Sequence, residues 1–237
     1  MSDALTRGIE ICRQTVARVK TDFADICTSE RHHDFDSLAL YCRQNGIELI
    51  LDESLAGTRA RAASILVQDV PFILLDRELT RPGERLTSLA HELGHVMLDH
   101  LRRPSFAVCG FCETMSLGSR MLQKRYCAEI ELEADVHAML IVLPEGFLHR
   151  QVERTGHIPA RRLHRSLDLP LSWVGARIQL YRLVNGYADS NLALVRLGKD
   201  PSSLIERRRR QTLELEHRTY LYSLLRHHLE KPTLSPV

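Results

Sequence analysis

The stretch LAHELGHVMLDH, residues 89–100, restricts this chain's fold more than any other part of it. At about 100° per residue, Leu86, Leu89, Ala90, Leu93 and Met97 form one apolar stripe of a helix, and His91 and His95 fall on roughly the opposite side. The stripe that faces a core is therefore separate from the face that carries the two imidazoles. Residues four apart on a helix lie one turn apart on the same face, so both rings can reach one ion. Glu92 projects from nearly the same face, where it can take a proton from a metal-bound water. Gly94 is costly inside a helix, about 1 kcal/mol relative to alanine. Its place between the histidines implies close packing there, which suits a substrate cleft. A His-Glu-x-x-His pattern is short enough to arise by chance, but this one lies mid-helix, follows a buried strand and carries the intervening glycine.

A catalytic metal site takes a third protein ligand and leaves one position open for water. The segment AEIELEADVHAMLIVLP, residues 128–144, offers the candidates. Glu131 and Asp135 share a helical face with Ala128, Ala134 and Ala138, small residues that let two helices approach closely. Glu131 is the expected third ligand, and Asp135, one turn on, is placed to orient a ligating histidine. Glu133 and His137 read as an exposed i,i+4 pair on the far side, and are the runner-up pair.

The rest of the chain frames these two helices. Residues 3–27 read as an amphipathic helix through Ile9, Val16, Val19 and Phe23. FDSLALYCRQNGIELIL, from residue 35, reads as a short helix, a turn at Asn45-Gly46 and a strand. Residues 64–79 read as two apolar strands around Gln68-Asp69-Val70-Pro71, with Phe72 to Leu75 buried on both faces. The metal-binding helix is expected over Thr80–Arg102, with Thr80 as its cap and Pro82 and Glu84 in its first turn. A linker, 103–118, precedes a second helix over 120–143 that Pro144 ends. Two short helices, IPARRLHRSL and LSWVGARIQLYRLV, follow within 158–185. Trp173, Val174, Ile178 and Leu180 belong to the core. A charged helix closes the chain.

Composition excludes more than it selects. A hydrophobic share of 44% supports a buried core, and a formal net charge of +2 argues against a dedicated nucleic-acid binder. No segment approaches the ~20 apolar residues of a membrane span, and the first residues lack a signal-peptide run. The expectation is a cytoplasmic protein with its six cysteines reduced. Cys109-Gly-Phe-Cys112 has zinc-knuckle spacing, and Cys127 and His100 are the residues that could complete a set; two free thiols are the better reading. Arg207 to Arg210 are flanked by Glu206, Glu214 and Glu216, which makes a solvated helix face. Leu213, Leu215, Tyr220, Leu221, Leu224 and Leu225 offer a surface for the catalytic domain or another protomer, so an oligomer would form through this helix.

The stretches FDSLALYCRQNGIEL, RLTSLAHELGHVMLDH, EIELEADVHAMLIVLP and LHRSLDLPLSWVGARIQLYRL, in this order over residues 35–184, resemble the ImmA/IrrE family of HExxH metallopeptidases. The resemblance puts that family's glutamate ligand on Glu131. It implies a cytosolic zinc or manganese peptidase whose substrate is a helix-turn-helix transcriptional repressor, cut in a stress response or to release a mobile element. Two positions depart from the family pattern. His137 stands where an aromatic residue is usual, and Asp99-His100 stands where a histidine usually follows the apolar run directly.

The expected architecture is α+β: a small sheet packed against a zincin-like HExxH helix and a second, glutamate-bearing helix, with a helical C-terminal part. The organisation is an N-terminal helix (1–34), a metallopeptidase core (35–150), a small helical segment (151–185) and a C-terminal helical extension (186–237). The expected site has His91, His95 and Glu131 on the metal, zinc or else manganese, with Glu92 as base and Asp135 behind a histidine. Arg125, Tyr126 and His137 are the candidates for steadying the oxyanion, and a sheet strand could bind the substrate by strand addition. The rival readings are a catalytically silent scaffold that binds a repressor and a DNA-associated protein using 158–237.

Overall fold

The computed structural model describes residues 3–52, 61–103 and 117–185. Among them the architecture is α+β, with eight α-helices around a sheet of three strands. The helices are α1 (Asp3–Asp22), α2 (Ala24–Cys27), α3 (Phe35–Gln44), α4 (Pro82–Met97), α5 (Leu117–Val142), α6 (Glu145–Thr155), α7 (Ala160–Leu167) and α8 (Leu171–Val184), with a 3-10 turn at His100–Arg102. The strands are β1 (Glu48–Asp52), β2 (Ala62–Val67) and β3 (Val70–Asp76). No helix of the described residues is long and apolar enough to cross a membrane.

The sheet order is β1-β3-β2. β3 pairs parallel with β1, Glu48 opposite Phe72, and antiparallel with β2, Ser64 opposite Ile73. Its central position explains its composition, since Ile73, Leu74 and Leu75 are all fully buried. Pro71 sits outside the β1 pairing and opposite Leu66 of β2, so its missing N–H leaves no gap between β3 and β1. The β2–β3 hairpin turns on Gln68 and Asp69, both at positive φ (49° and 64°). Two consecutive left-handed residues match the strand twist, and here they are made without the usual Asn-Gly. Val70 and Pro71, read from the sequence as part of the turn, lie in the strand.

α4 packs against β2, β3, α3 and α5. Leu86, Leu89, Ala90 and Leu93 are buried along the expected stripe, and Met97 is half-buried against the core. α1 packs against α5 and contributes Ile9, Cys12, Val16 and Val19 to the same core cluster. Arg177 of α8 is fully buried, and its Nε donates to the carbonyl of Leu143 at 2.8 Å, just beyond the end of α5.

Several boundaries differ from the sequence reading. The first helix breaks at Phe23 (φ −133°, ψ 41°); its ring there stands edge-on to His137, centroids 5.7 Å apart. α4 starts after Arg81, which caps it without a side-chain bond, so Thr80 is not the cap. The same helix ends at Met97 rather than at Arg102, because Asp99 turns left-handed (φ 57°) and the chain re-enters a 3-10 turn. α5 starts at Leu117, three residues before the expected 120, and α6 is a helix for which the sequence reading supplied no element. The motif Cys109-Cys112 and the segment 186–237 with Arg207 to Arg210 lie outside the described residues, as do the side chains of Arg125, Tyr126, Cys127 and Ala128.

Candidate metal centre

Local structure aims the site residues before any contact is made. His91 and His95 stand one turn apart on α4, their ring centroids 4.9 Å apart. Their Nε2 atoms lie 3.1 Å from each other. α5 brings Glu131 against them, Oε2 3.2 Å from His91 Nε2 and Oε1 3.7 Å from His95 Nε2. One ligand atom from each of these three residues falls within 4.8 Å of the others, a group that could hold a metal ion.

The crossing that makes this contact depends on Gly94. A Cβ there would lie 3.0 Å from the backbone oxygen of Ala134 and 3.1 Å from its Cα. The close packing inferred at Gly94 is therefore the α4–α5 contact, not a substrate cleft. Ala134 and Ala138, both buried, supply the small surface on the α5 side.

The far nitrogen of each imidazole meets a further partner. His91 Nδ1 is 2.9 Å from Asp135 Oδ1. His95 Nδ1 is 3.0 Å from His100 Nδ1, and His100 Nε2 is 2.8 Å from Glu133 Oε2. Arg103 donates to the same Glu133 oxygen at 3.2 Å. Carboxylates only accept, so Asp135 fixes the proton of a neutral His91 on Nδ1 and leaves its Nε2 lone pair aimed at the cluster.

This arrangement draws in positive charge. Burial alone would lower the His91 pKa, but its hydrogen bonds to Asp135 and Glu131 outweigh that and hold it well above the ordinary histidine value. Two imidazole nitrogens and a carboxylate converging on one point could hold a cation between them. The donor set, two nitrogens and a carboxylate, is one that zinc accepts, and its carboxylate is a ligand that manganese also takes.

Glu92 is buried, and the Ser64 hydroxyl of β2 donates to its Oε2 at 2.6 Å. Sequence reasoning missed this contact. The available signal was one polar residue in the otherwise apolar strand AASILV. It also missed His100, five residues beyond His95, which no helical spacing brings back to the site. The left-handed turn at Asp99 does so. The His100 ring nitrogens meet His95 and Glu133; Cys109, Cys112 and the side chain of Cys127, the other members of the zinc-knuckle pattern, lie outside the described residues.

Two expectations on α5 are corrected. Glu133 and His137 are not an exposed pair. Glu133 is half-buried and bonded to His100 and Arg103, and His137 is only 2% exposed. The reason is that α5 is covered by α1 on one side and α4 on another, which leaves it little solvated face. Burial, with the nearby His100, Arg18 and His91 charges, pushes the His137 pKa down to about 3. Its Nδ1 has no hydrogen-bond partner and lies at the Gly94 contact, where α4 packs against α5. Among the described residues Cys12, Cys27 and Cys42 are buried. Burial raises the Cys27 thiol to about 12 and the Cys42 thiol to about 11, which removes both as nucleophiles.

A helix bearing His-Glu-x-x-His, backed by a small sheet and met by a carboxylate from a second helix, is the arrangement that centres of the metallopeptidase class use. The family model of the IrrE N-terminal-like domain, Peptidase_M78, matches residues 42–178, more than half of the chain, and the chain belongs to this family. Comparison with curated proteins and with solved structures finds no match.

Proposed function

We propose that this chain is a cytoplasmic, metal-dependent, site-specific endopeptidase that cleaves a helix-turn-helix transcriptional repressor in a stress response or a mobile element. The observation that carries the reading is the convergence of His91 Nε2, His95 Nε2 and the Glu131 carboxylate on one point, next to a glutamate that the same helix supplies. His91, His95 and Glu131 would hold the ion, zinc or else manganese. When bound, the ion supplies the Lewis acidity that activates a water and polarises the scissile carbonyl.

The chain's own groups do the rest. Glu92, steadied at Oε2 by Ser64, accepts the proton of the attacking water and passes it to the leaving amine. Asp135 holds His91 in the tautomer whose Nε2 faces the site. The choice of a repressor as substrate rests on membership of the family and on the sequence resemblance.

The test is co-expression with candidate repressors, helix-turn-helix proteins encoded beside this gene first, followed by mass spectrometry of fragments. Wild type is compared with Glu92→Gln and His91→Ala. Glu92→Gln keeps the side chain's size and its hydrogen bond to Ser64 but removes the base. It should stay folded, retain its metal and lose on the order of 10²–10⁴ in cleavage rate. If Glu92→Gln derepresses as well as wild type while the repressor stays intact, the protein is a silent scaffold and the peptidase reading fails.

A further inference from the structure

The environment of His95 differs from that of His91 in a way the His-Glu-x-x-His pattern does not contain. The His95 ring is fully buried, and its Nδ1 faces another histidine instead of a carboxylate. Two imidazole nitrogens 3.0 Å apart form a hydrogen bond only when one carries a proton and the other a lone pair. The group beyond decides which. Glu133 Oε2, 2.8 Å from His100 Nε2, is a carboxylate and accepts only, so the proton of a neutral His100 sits on Nε2. The Nδ1 of His100 is then a lone pair, and it must accept from His95 Nδ1–H. The Nε2 of His95 is left with its lone pair directed at Glu131 and His91. Reversing the chain would put a proton on His95 Nε2, where it would block a cation.

We infer that His100 is a positioning residue for the metal centre, and that Glu133, through His100, sets the tautomer in which His95 can bind an ion. The inference rests on the reading of His91, His95 and Glu131 as the ligand set. Position in the fold supports it. The left-handed Asp99 (φ 57°) ends α4 and swings His100 back under its last turn, where the ring is fully buried and stacks edge-on to His95 at 5.1 Å. Arg103, at the end of the same 3-10 turn, pins the Glu133 oxygen that His100 uses. A buried histidine with both nitrogens engaged, one of them on a candidate ligand, orients that ligand as the outer partners of metal-binding histidines do.

The experiment measures the affinity of the full chain for zinc and for manganese, separately, by competition with a chromophoric chelator. Thermal melting of the metal-free proteins runs alongside. His100→Phe keeps a buried ring and loses both hydrogen bonds. His100→Asn places an amide oxygen near the Nδ1 position and keeps an acceptor for His95. The expected result is an affinity about 10- to 100-fold weaker in His100→Phe, with most of the loss restored in His100→Asn and with metal-free melting temperatures that do not follow this order. Glu133→Ala, which leaves the His100 ring in place and removes only the acceptor beyond it, should weaken affinity in the same direction as His100→Phe. A His100→Phe protein that binds within twofold of wild type overturns the inference, and so does an Asn variant no better than the Phe variant. Should either His100 variant fail to fold, Glu133→Ala decides alone, and unchanged affinity there overturns it. A wild-type chain that binds neither ion while remaining folded overturns the ligand set itself, which separates that failure from this one.

Discussion

Glu131 and Glu133 sit two residues apart on α5, yet they do different things. Glu131 reaches both His91 and His95, whereas Glu133 reaches His100 and Arg103. Glu131→Gln removes charge from the ligand cluster itself and should cost far more metal affinity than Glu133→Gln, whose amide oxygen still accepts from His100. Chelator competition on the two proteins checks the order, and a reversed order would move the ligand role to the Glu133 and His137 face. His137 carries a pH prediction. Its folded pKa, about 3, lies below the ordinary value of 6.5, so the folded chain binds fewer protons than the unfolded chain in that window. The stability from a neutral His137 is complete above pH 6.5 and is lost as pH falls toward 3. Replacement by phenylalanine, which also removes the unpartnered Nδ1, abolishes that dependence. Urea unfolding should show the variant gaining on wild type below pH 6.5 by at most about 1.4 kcal/mol per pH unit. A difference that stays constant with pH would mean that His137 is not held neutral.

At the scale of elements, the contact between α4 and α5 is the device that assembles the site, because each helix carries only part of it. Gly94 is the close point of that contact. Gly94→Val puts a branched side chain against the backbone of Ala134, and overpacking of this kind costs roughly 1–3 kcal/mol. The same push moves Glu131 away from the histidines, so metal affinity should fall with stability. Gly175 of α8 is the comparison, since a Cβ there meets nothing within 4 Å. Gly175→Ala should stabilise by up to about 1 kcal/mol through helix propensity and leave metal affinity unchanged. Chemical denaturation and chelator competition on both variants test the contrast. Loss of stability without loss of affinity in Gly94→Val would uncouple helix packing from the site.

Across the whole molecule, the ligand set joins α4, which lies on the sheet, to α5, which packs against α1 and α4. An ion bound to both helices in the folded chain alone stabilises the fold by mass action. At 100 times its dissociation constant that is about 2.7 kcal/mol, which for a chain of this size raises the melting temperature by roughly 5–10 °C. The rise should disappear on addition of a chelator and be absent in a His91→Ala, His95→Ala double variant. Calorimetry with and without zinc measures it, and an equal rise in the double variant would place the bound ion elsewhere.

What the residues determine by themselves is whatever depends on local periodicity. The stripe Leu86, Leu89, Ala90 and Leu93, the separate face of His91 and His95, the pairing of Glu131 with small residues and the end of α5 before Pro144 all follow from helical spacing, because neighbours three and four apart meet in any helix. The tertiary structure decided the rest. Gly94 signals close approach in the sequence, but only the packed helices show that Ala134 is what approaches. Glu133 and His137 have the spacing of a solvated pair and are covered because α1 and α4 both cover α5. Ser64 meets Glu92 across 28 residues of chain, and His100 meets His95 because Asp99 leaves the helical region for a left-handed turn. No periodicity encodes such contacts, since they form between elements whose relative placement is set by the shared burial of the core.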